Sequence, residues 1–149
     1  MRVGFIGLGN VGGKLASSLL RNGFELIVND LQRAAARPLL EDGAKWGGNG
    51  AEVARYGDVI ITCLPSPQAS AEALEGEDGV LTGLSAGKIW LEMSSSDHQE
   101  VLRLGRRVTA LGADALDSPV SGGCHRAATG NIAIFTGGAR AAFERALPV

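Results

Sequence analysis

Runs of Lys and Arg, long apolar stretches and paired cysteines are all missing from this 149-residue chain. Without a basic cluster, and with a net charge of -2, there is no footprint for nucleic acid or an anionic membrane surface. No apolar run is long enough to span a bilayer. The N-terminus reads as a strand beginning at residue 2 rather than as a signal peptide. Cys63 and Cys124 stand far apart and outside any CxxC spacing. They are expected to be reduced thiols in a cytoplasmic protein, with no disulfide framework and no metal site. Lysine is scarce: only Lys14, Lys45 and Lys88 occur. There is no internal repeat and no low-complexity tract. What remains is ample for one domain with a core of its own. Hydrophobic residues make up 45%, mean hydropathy is +0.11 and the pI is about 5.7. The 22 glycines cluster at turns, as an α/β fold with short connections requires.

The chain is organised around residues 2–20. A short apolar run, Val3 to Ile6, meets Gly7-Leu8-Gly9-Asn10-Val11-Gly12. Val11, Leu15 and Leu19 then recur at helical spacing. The pattern is strand, tight glycine turn, helix. Gly7 lets the chain leave the strand sharply. Gly9 lets a pyrophosphate approach the backbone, and Gly12 lets the helix pack close to the strand. The helix N-terminus offers unpaired N–H groups and a partial positive charge to phosphates.

A second strand over 24–28 ends at Asn29-Asp30, roughly 20 residues past the glycines, where a dinucleotide fold places an acid on the ribose hydroxyls. Asp30 has two readings, a ribose ligand that repels a 2′-phosphate or a helix N-cap. Arg33 is the counter-signal, as it could reach a 2′-phosphate or simply face solvent. The pattern predicts a helix over 31–40, with Pro38 forcing an end or kink near Arg37, since proline costs about 3 kcal/mol in a helix interior. A short third strand over 43–46 and a helix over 49–56 follow. Residues 58–64, DVIITCL, form a continuous apolar strand suited to a parallel sheet buried on both faces. Pro65-Ser66-Pro67 then fixes a rigid loop, either a ligand contact or a plain strand terminator.

Residues 68–74 read as helix and 75–79 as a solvated acidic loop. The fifth strand covers 88–91 and leads into Glu92-Met93-Ser94-Ser95-Ser96. Those serines either cap the next helix, from Ser96 or Asp97 to about Ala110, or offer a hydroxyl to a bound ring. His98 reads as a surface or capping residue. A sixth strand over 112–116 leads into Asp117-Ser118-Pro119-Val120-Ser121-Gly122-Gly123. Its successive backbone N–H groups and one hydroxyl suit a carboxylate, or the segment is a flexible loop. His125 reads as loop-borne, a candidate proton acceptor with no partner to orient it. A seventh strand over 131–135 at the far edge of the sheet, a turn at 136–138 and a helix over 140–146 complete the chain.

Four blocks together, GFIGLGNVGGKLA at 4–16, DVIITCLP at 58–65, LEMSSS at 91–96 and LDSPVSGG at 116–123, resemble the β-hydroxyacid dehydrogenase family. That family includes 3-hydroxyisobutyrate dehydrogenase, tartronate semialdehyde reductase and the N-terminal domain of 6-phosphogluconate dehydrogenase. Gly130-Asn131 and FTGG at 135–138 extend the likeness, which covers essentially the whole chain. The resemblance implies a Rossmann-type, doubly wound, mostly parallel sheet of order 3-2-1-4-5-6. It implies NAD or NADP on Gly7, Leu8, Gly9, Asn10, Val11 and Gly12, with contacts from Leu64, Pro65 and the Ser95 hydroxyl. It also implies a substrate carboxylate on Ser121, Gly122 and Gly123. Asp30 followed by Leu31, where NADP users carry an Asn-Arg pair, favours NAD. Three departures stand out: Glu92 where aspartate is usual, Ser118 where alanine is usual, and the bulkier Cys124-His125-Arg126 after the glycine pair.

The family's general acid/base, a lysine, is expected beyond Val149 in an all-helical second domain. None of the three lysines present is placed for that work. The chain is therefore expected to be the cofactor half of a longer oxidoreductase, acting on a small carboxylic acid. A dinucleotide-binding module with no turnover is the competing reading. An imine-reducing relative is a third, disfavoured by a Ser-Gly-Gly suited to carboxylate. Apolar surface around 120–134 and 147–149 is expected to be exposed and to drive self-association into a homo-oligomer.

Overall fold

The computed structural model describes residues 1–149. Strands β1 (Arg2–Ile6), β2 (Glu25–Asn29), β3 (Lys45–Trp46), β4 (Val59–Thr62), β5 (Ile89–Glu92), β6 (Asp114–Asp117) and β9 (Gly137–Gly138) form one sheet of order β3-β2-β1-β4-β5-β6-β9. The first six are parallel and run in the order expected. Between them lie α1 (Gly12–Arg21), α2 (Arg37–Glu41), α3 (Gly50–Tyr56), α4 (Pro67–Glu75), α5 (Val80–Gly83) and α6 (His98–Thr109). After β6 come β7 (Val120–Ser121), α7 (Gly123–Thr129), β8 (Ala133–Ile134) and, past β9, α8 (Arg140–Ala146).

Alternation along each strand sorts the core into two layers. Val3, Phe5, Ile61, Leu91 and Leu116 face Leu15 and Leu19 of α1, Leu39 of α2 and Ala142 and Ala146 of α8. Ile6, Ile27, Ile60 and Trp90 face Val53 of α3, Leu74 of α4 and Leu104 and Val108 of α6. Both faces of the sheet are therefore covered, which makes it doubly wound. Each side chain as fully buried as Ile60 contributes roughly 1.5–3 kcal/mol. Inside the second layer the Trp90 indole donates to Thr62 Oγ1 at 2.9 Å, satisfying the polar handle of the largest buried side chain. Arg145 anchors the last helix, donating to Asp114 Oδ2 at 2.7 Å and to the Gly87 carbonyl.

Four sequence expectations are corrected. The apolar stretch 131–135 is not the seventh strand of the main sheet. Its residues Ala133–Ile134 pair antiparallel with Val120–Ser121 in a separate two-stranded ribbon. The main edge is β9, antiparallel to β6, built from two glycines. A Cβ on Gly138 would lie 2.5 Å from Leu116 Cδ2, so close backbone approach rather than hydrophobicity selects that strand. Residues 31–40 form no continuous helix. A 3₁₀ turn over Arg33–Ala36 precedes α2, with Pro38 in the first turn of α2, where a missing N–H is harmless. The helix does not end near Arg37, as expected from the proline; α2 starts there. Pro67 is not part of a rigid loop but the first residue of α4, capped by Ser66 Oγ, which accepts from the Ala69 N–H at 3.1 Å. The stretch after Ser121 is not a loop: α7 begins at Gly123.

Candidate functional site

The strand order reverses direction between β1 and β4. In such sheets ligands bind outside the carboxyl ends of the strands at that point. A cavity of about 830 Å³ opens there, along the ends of β2, β1, β4 and β5. The strand ends are held by hydrogen bonds that carry the ladder one residue further. Gly7 N–H donates to the Asn29 carbonyl at 3.0 Å, Cys63 N–H to Ile6 at 3.0 Å, and Met93 N–H to Thr62 at 2.8 Å.

The glycine loop forms the floor. Gly7 turns the chain at φ 95°, and a Cβ there would sit 2.3 Å from the Cys63 carbonyl oxygen. A Cβ on Gly12 would sit 2.0 Å from the Gly7 carbonyl oxygen and 3.3 Å from the Phe5 ring. At Gly9 the same construction meets nothing within 4 Å. The first two glycines are required by protein packing, whereas the third faces open space. At the start of α1 the N–H groups of Asn10, Val11 and Gly12 donate to no protein group, and no side chain caps the helix. Free amides, a bare α-carbon and a helix N-terminus converge on one volume, and that arrangement fits an anion such as a diphosphate.

Of the residues singled out from sequence, Gly7, Gly9, Asn10, Val11 and Gly12 line this cavity, as do Asp30, Leu64, Pro65, Ser95 and Gly123. Leu8, Ser121 and Gly122 do not. Leu8 is buried beneath the loop. Ser121 and Gly122 lie exposed on β7 and at the start of α7. The Asp30 carboxylate accepts from Leu8 N–H at 2.7 Å through Oδ2 and from Gln32 N–H at 2.8 Å through Oδ1. It thus closes a turn after β2 while bordering the cavity. Arg33 does not border it; its guanidinium lies 5.5 Å above the Trp46 ring. His98 opens α6 and His125 lies on α7, both exposed and outside the cavity.

Sequence reasoning missed two parts of the wall. Gly76, Asp78 and Gly79, expected to be merely solvated, line the cavity together with Glu72 and Ala73 of α4. The signal was the glycine spacing. Gly79 approaches the Leu74 carbonyl so closely that a Cβ would lie 2.5 Å from it, and the Asp78 carbonyl accepts from Ala51 N–H at 2.9 Å. Ser94, beside the favoured Ser95, also lines it, and its Oγ accepts from Leu64 N–H at 2.7 Å.

The charged residues on the wall are Asp30, Glu72 and Asp78, with no Lys, Arg or His among the lining side chains. The Cys63 thiol, at the end of β4, is pushed up to about 11 by burial first and by the nearby Glu92 charge second. Burial thus disfavours the thiolate, the reactive form, although Cys63 is half-buried and borders the cavity. Burial also raises the Asp117 carboxyl, against a smaller lowering by His98.

A family model described as the NAD binding domain of 6-phosphogluconate dehydrogenase matches residues 2–149. The chain belongs to that family. Within the wider β-hydroxyacid dehydrogenase group it is 36% identical over 144 residues to the mitochondrial 3-hydroxyisobutyrate dehydrogenase of Mus musculus, covering 97% of this chain and 43% of the relative. It is 32% identical over 143 residues to the cytokine-like nuclear factor N-PAC of Danio rerio, covering 96% of this chain and 31% of that protein. A solved structure of Psf3 in complex with NADP+ and 2-OPP superposes with a TM-score of 0.93 at 28% identity, over 98% of this chain and 52% of that one. The chain spans between about a third and a half of the length of these relatives. Its bare glycine loop and open helix terminus fit the family's NAD(P) cofactor. No helix is long and apolar enough to cross a membrane.

Proposed function

We propose that residues 1–149 are the dinucleotide-binding domain of a longer oxidoreductase that moves hydride between a nicotinamide and a short β-hydroxy acid or its semialdehyde. The observation that carries this is the unpaired amide group of Asn10, Val11 and Gly12 above the bare Gly9. When bound, the nicotinamide ring supplies the hydride chemistry. The protein's own work is binding and orientation. The α1 amides hold the diphosphate. Asp30 takes the adenosine ribose, using the lone pairs left over from its two backbone bonds. Leu64, Pro65 and Ser95, which border the cavity past the ends of β4 and β5, would take the nicotinamide end. Ser121, Gly122 and Gly123 receive the substrate carboxylate at the rim of the cavity, which Gly123 lines and Ser121 and Gly122 adjoin.

NAD is the cofactor this wall favours. A 2′-phosphate on the ribose would meet the Asp30 carboxylate, with Glu72 and Asp78 on the same wall and no lining cation to offset them. Calorimetric titration with both dinucleotides tests this; NAD binding tighter supports it, and NADP binding tighter overturns it.

No lysine of the chain reaches the reacting end. Lys14 is on α1, Lys45 Nζ bonds the Tyr56 hydroxyl at 3.1 Å, and Lys88, just before β5, bonds the Arg55 carbonyl through Nζ at 2.8 Å at the amino ends of the strands. The hydroxyl proton therefore goes to a group outside these residues, and the chain alone turns nothing over. A cytoplasmic, reducing setting fits the two free cysteines. The competing reading, a binding module without turnover, draws support from the likeness to a protein named as a nuclear factor. Sequencing the reading frame past Val149 separates the two. A helical region with a lysine–asparagine pair supports the dehydrogenase, and its absence the module.

A further inference from the structure

Glu92 ends β5 and is fully buried. A buried carboxylate is expensive, and an apolar residue of similar size is often more stabilising. Only one of its oxygens is used. Oε1 accepts the Ser94 N–H at 2.9 Å and also the Ser94 hydroxyl. Oε2 has no partner. The Ser94 hydroxyl in turn accepts the Leu64 N–H at 2.7 Å. An amide N–H only donates, so Ser94 Oγ accepts from Leu64, and its own proton is left to donate to Glu92 Oε1, which already accepts the Ser94 N–H. Leu64 and Ser94 line the cavity, whereas Glu92 does not. The strands themselves do not need the relay. β4 and β5 are already joined by their ladder, by Met93 N–H on Thr62 and by Trp90 on Thr62.

We propose that Glu92 is a positioning residue for the nicotinamide end of the dinucleotide. Through Ser94 it sets the Leu64 backbone and the adjacent Ser95 hydroxyl without touching the ligand. The inference rests on the dinucleotide reading above.

The test compares NAD with ADP, which keeps the adenosine and diphosphate but lacks the nicotinamide riboside. Both are titrated calorimetrically into the wild type and three variants. Glu92→Gln retains an oxygen that accepts from Ser94 and should hold NAD affinity within about twofold. Glu92→Met and Ser94→Ala should each weaken NAD about tenfold and leave ADP within about twofold, the size expected for one lost charge-assisted link. The double variant should be no weaker than either single one. Equal losses for NAD and ADP would reduce the relay to a structural role and overturn the proposal, as would unchanged NAD affinity in Ser94→Ala. Should Glu92→Met fail to fold, Ser94→Ala, which removes one hydroxyl, decides the matter. A wild type that binds neither ligand sinks the dinucleotide reading itself. Tight ADP and NAD binding in the wild type with indifferent variants sinks only the relay.

Discussion

The N–H of Leu8 and the carboxylate of Asp30 meet at 2.7 Å, joining the glycine loop to the end of β2. Asp30 thus supports the loop as well as bordering the cavity. Asp30→Ala should weaken NAD about tenfold and lower the melting temperature of the ligand-free chain, because the Leu8 and Gln32 amides lose their acceptor. Asp30→Asn keeps one acceptor oxygen and should discriminate less against NADP. Thermal scans with and without each dinucleotide check both effects.

Gly9 and Gly12 should respond to the same change in opposite ways. Gly9→Ala meets no protein atom, so stability should hold while dinucleotide affinity falls at least tenfold, the methyl standing where the diphosphate approaches. Gly12→Ala drives a methyl into the Gly7 carbonyl, so the fold itself should lose roughly 1–3 kcal/mol or more. Denaturant melts and NAD titrations on the two variants separate the effects.

Much of this was legible in advance, for physical reasons. Parallel strands buried on both faces are apolar throughout, so DVIITCL announces itself. The glycine loop was legible because Gly7 and Gly12 answer separate steric demands of the fold, while Gly9 leaves open space in front of the helix. The β9 edge was not, since Gly137 and Gly138 carry no pattern and the apolar 131–135 beside them drew the assignment. The 76–79 wall was misjudged because acidic side chains mark solvent, while it is the glycine backbone that borders the cavity. Ser94 was passed over because hydroxyl chemistry alone cannot tell which of three adjacent serines faces inward.

Cys63 gives a pH signature. Its ordinary value is 9.0, and the folded protein raises it to about 11. The folded state therefore keeps a proton that the unfolded chain releases first. The corresponding stability is full below pH 9 and is lost as pH rises towards 11. Cys63→Ala should flatten that part of the stability–pH curve relative to wild type. Under native conditions iodoacetamide should label exposed Cys124 and spare Cys63, with both labelled after denaturation. Mass spectrometry reads this out.

Phe135 and Leu147 are 65% and 66% exposed, and Ile134 and Phe143 are also exposed. The chain should associate with itself as concentration rises. Sedimentation velocity across a concentration series checks this, with Phe135→Ser expected to shift the equilibrium towards monomer. A clean monomer at the highest concentration would contradict it.

The wall without a cation has a consequence for ionic strength. A site built from lysines loses grip as mobile ions crowd around it, because full charges are what such ions neutralise. Here the diphosphate would be met by peptide dipoles at the mouth of α1, which work at contact range and attract few counter-ions. The affinity should not fall from dilute buffer to concentrated brine, and screening of Asp30, Glu72 and Asp78 should raise it slightly.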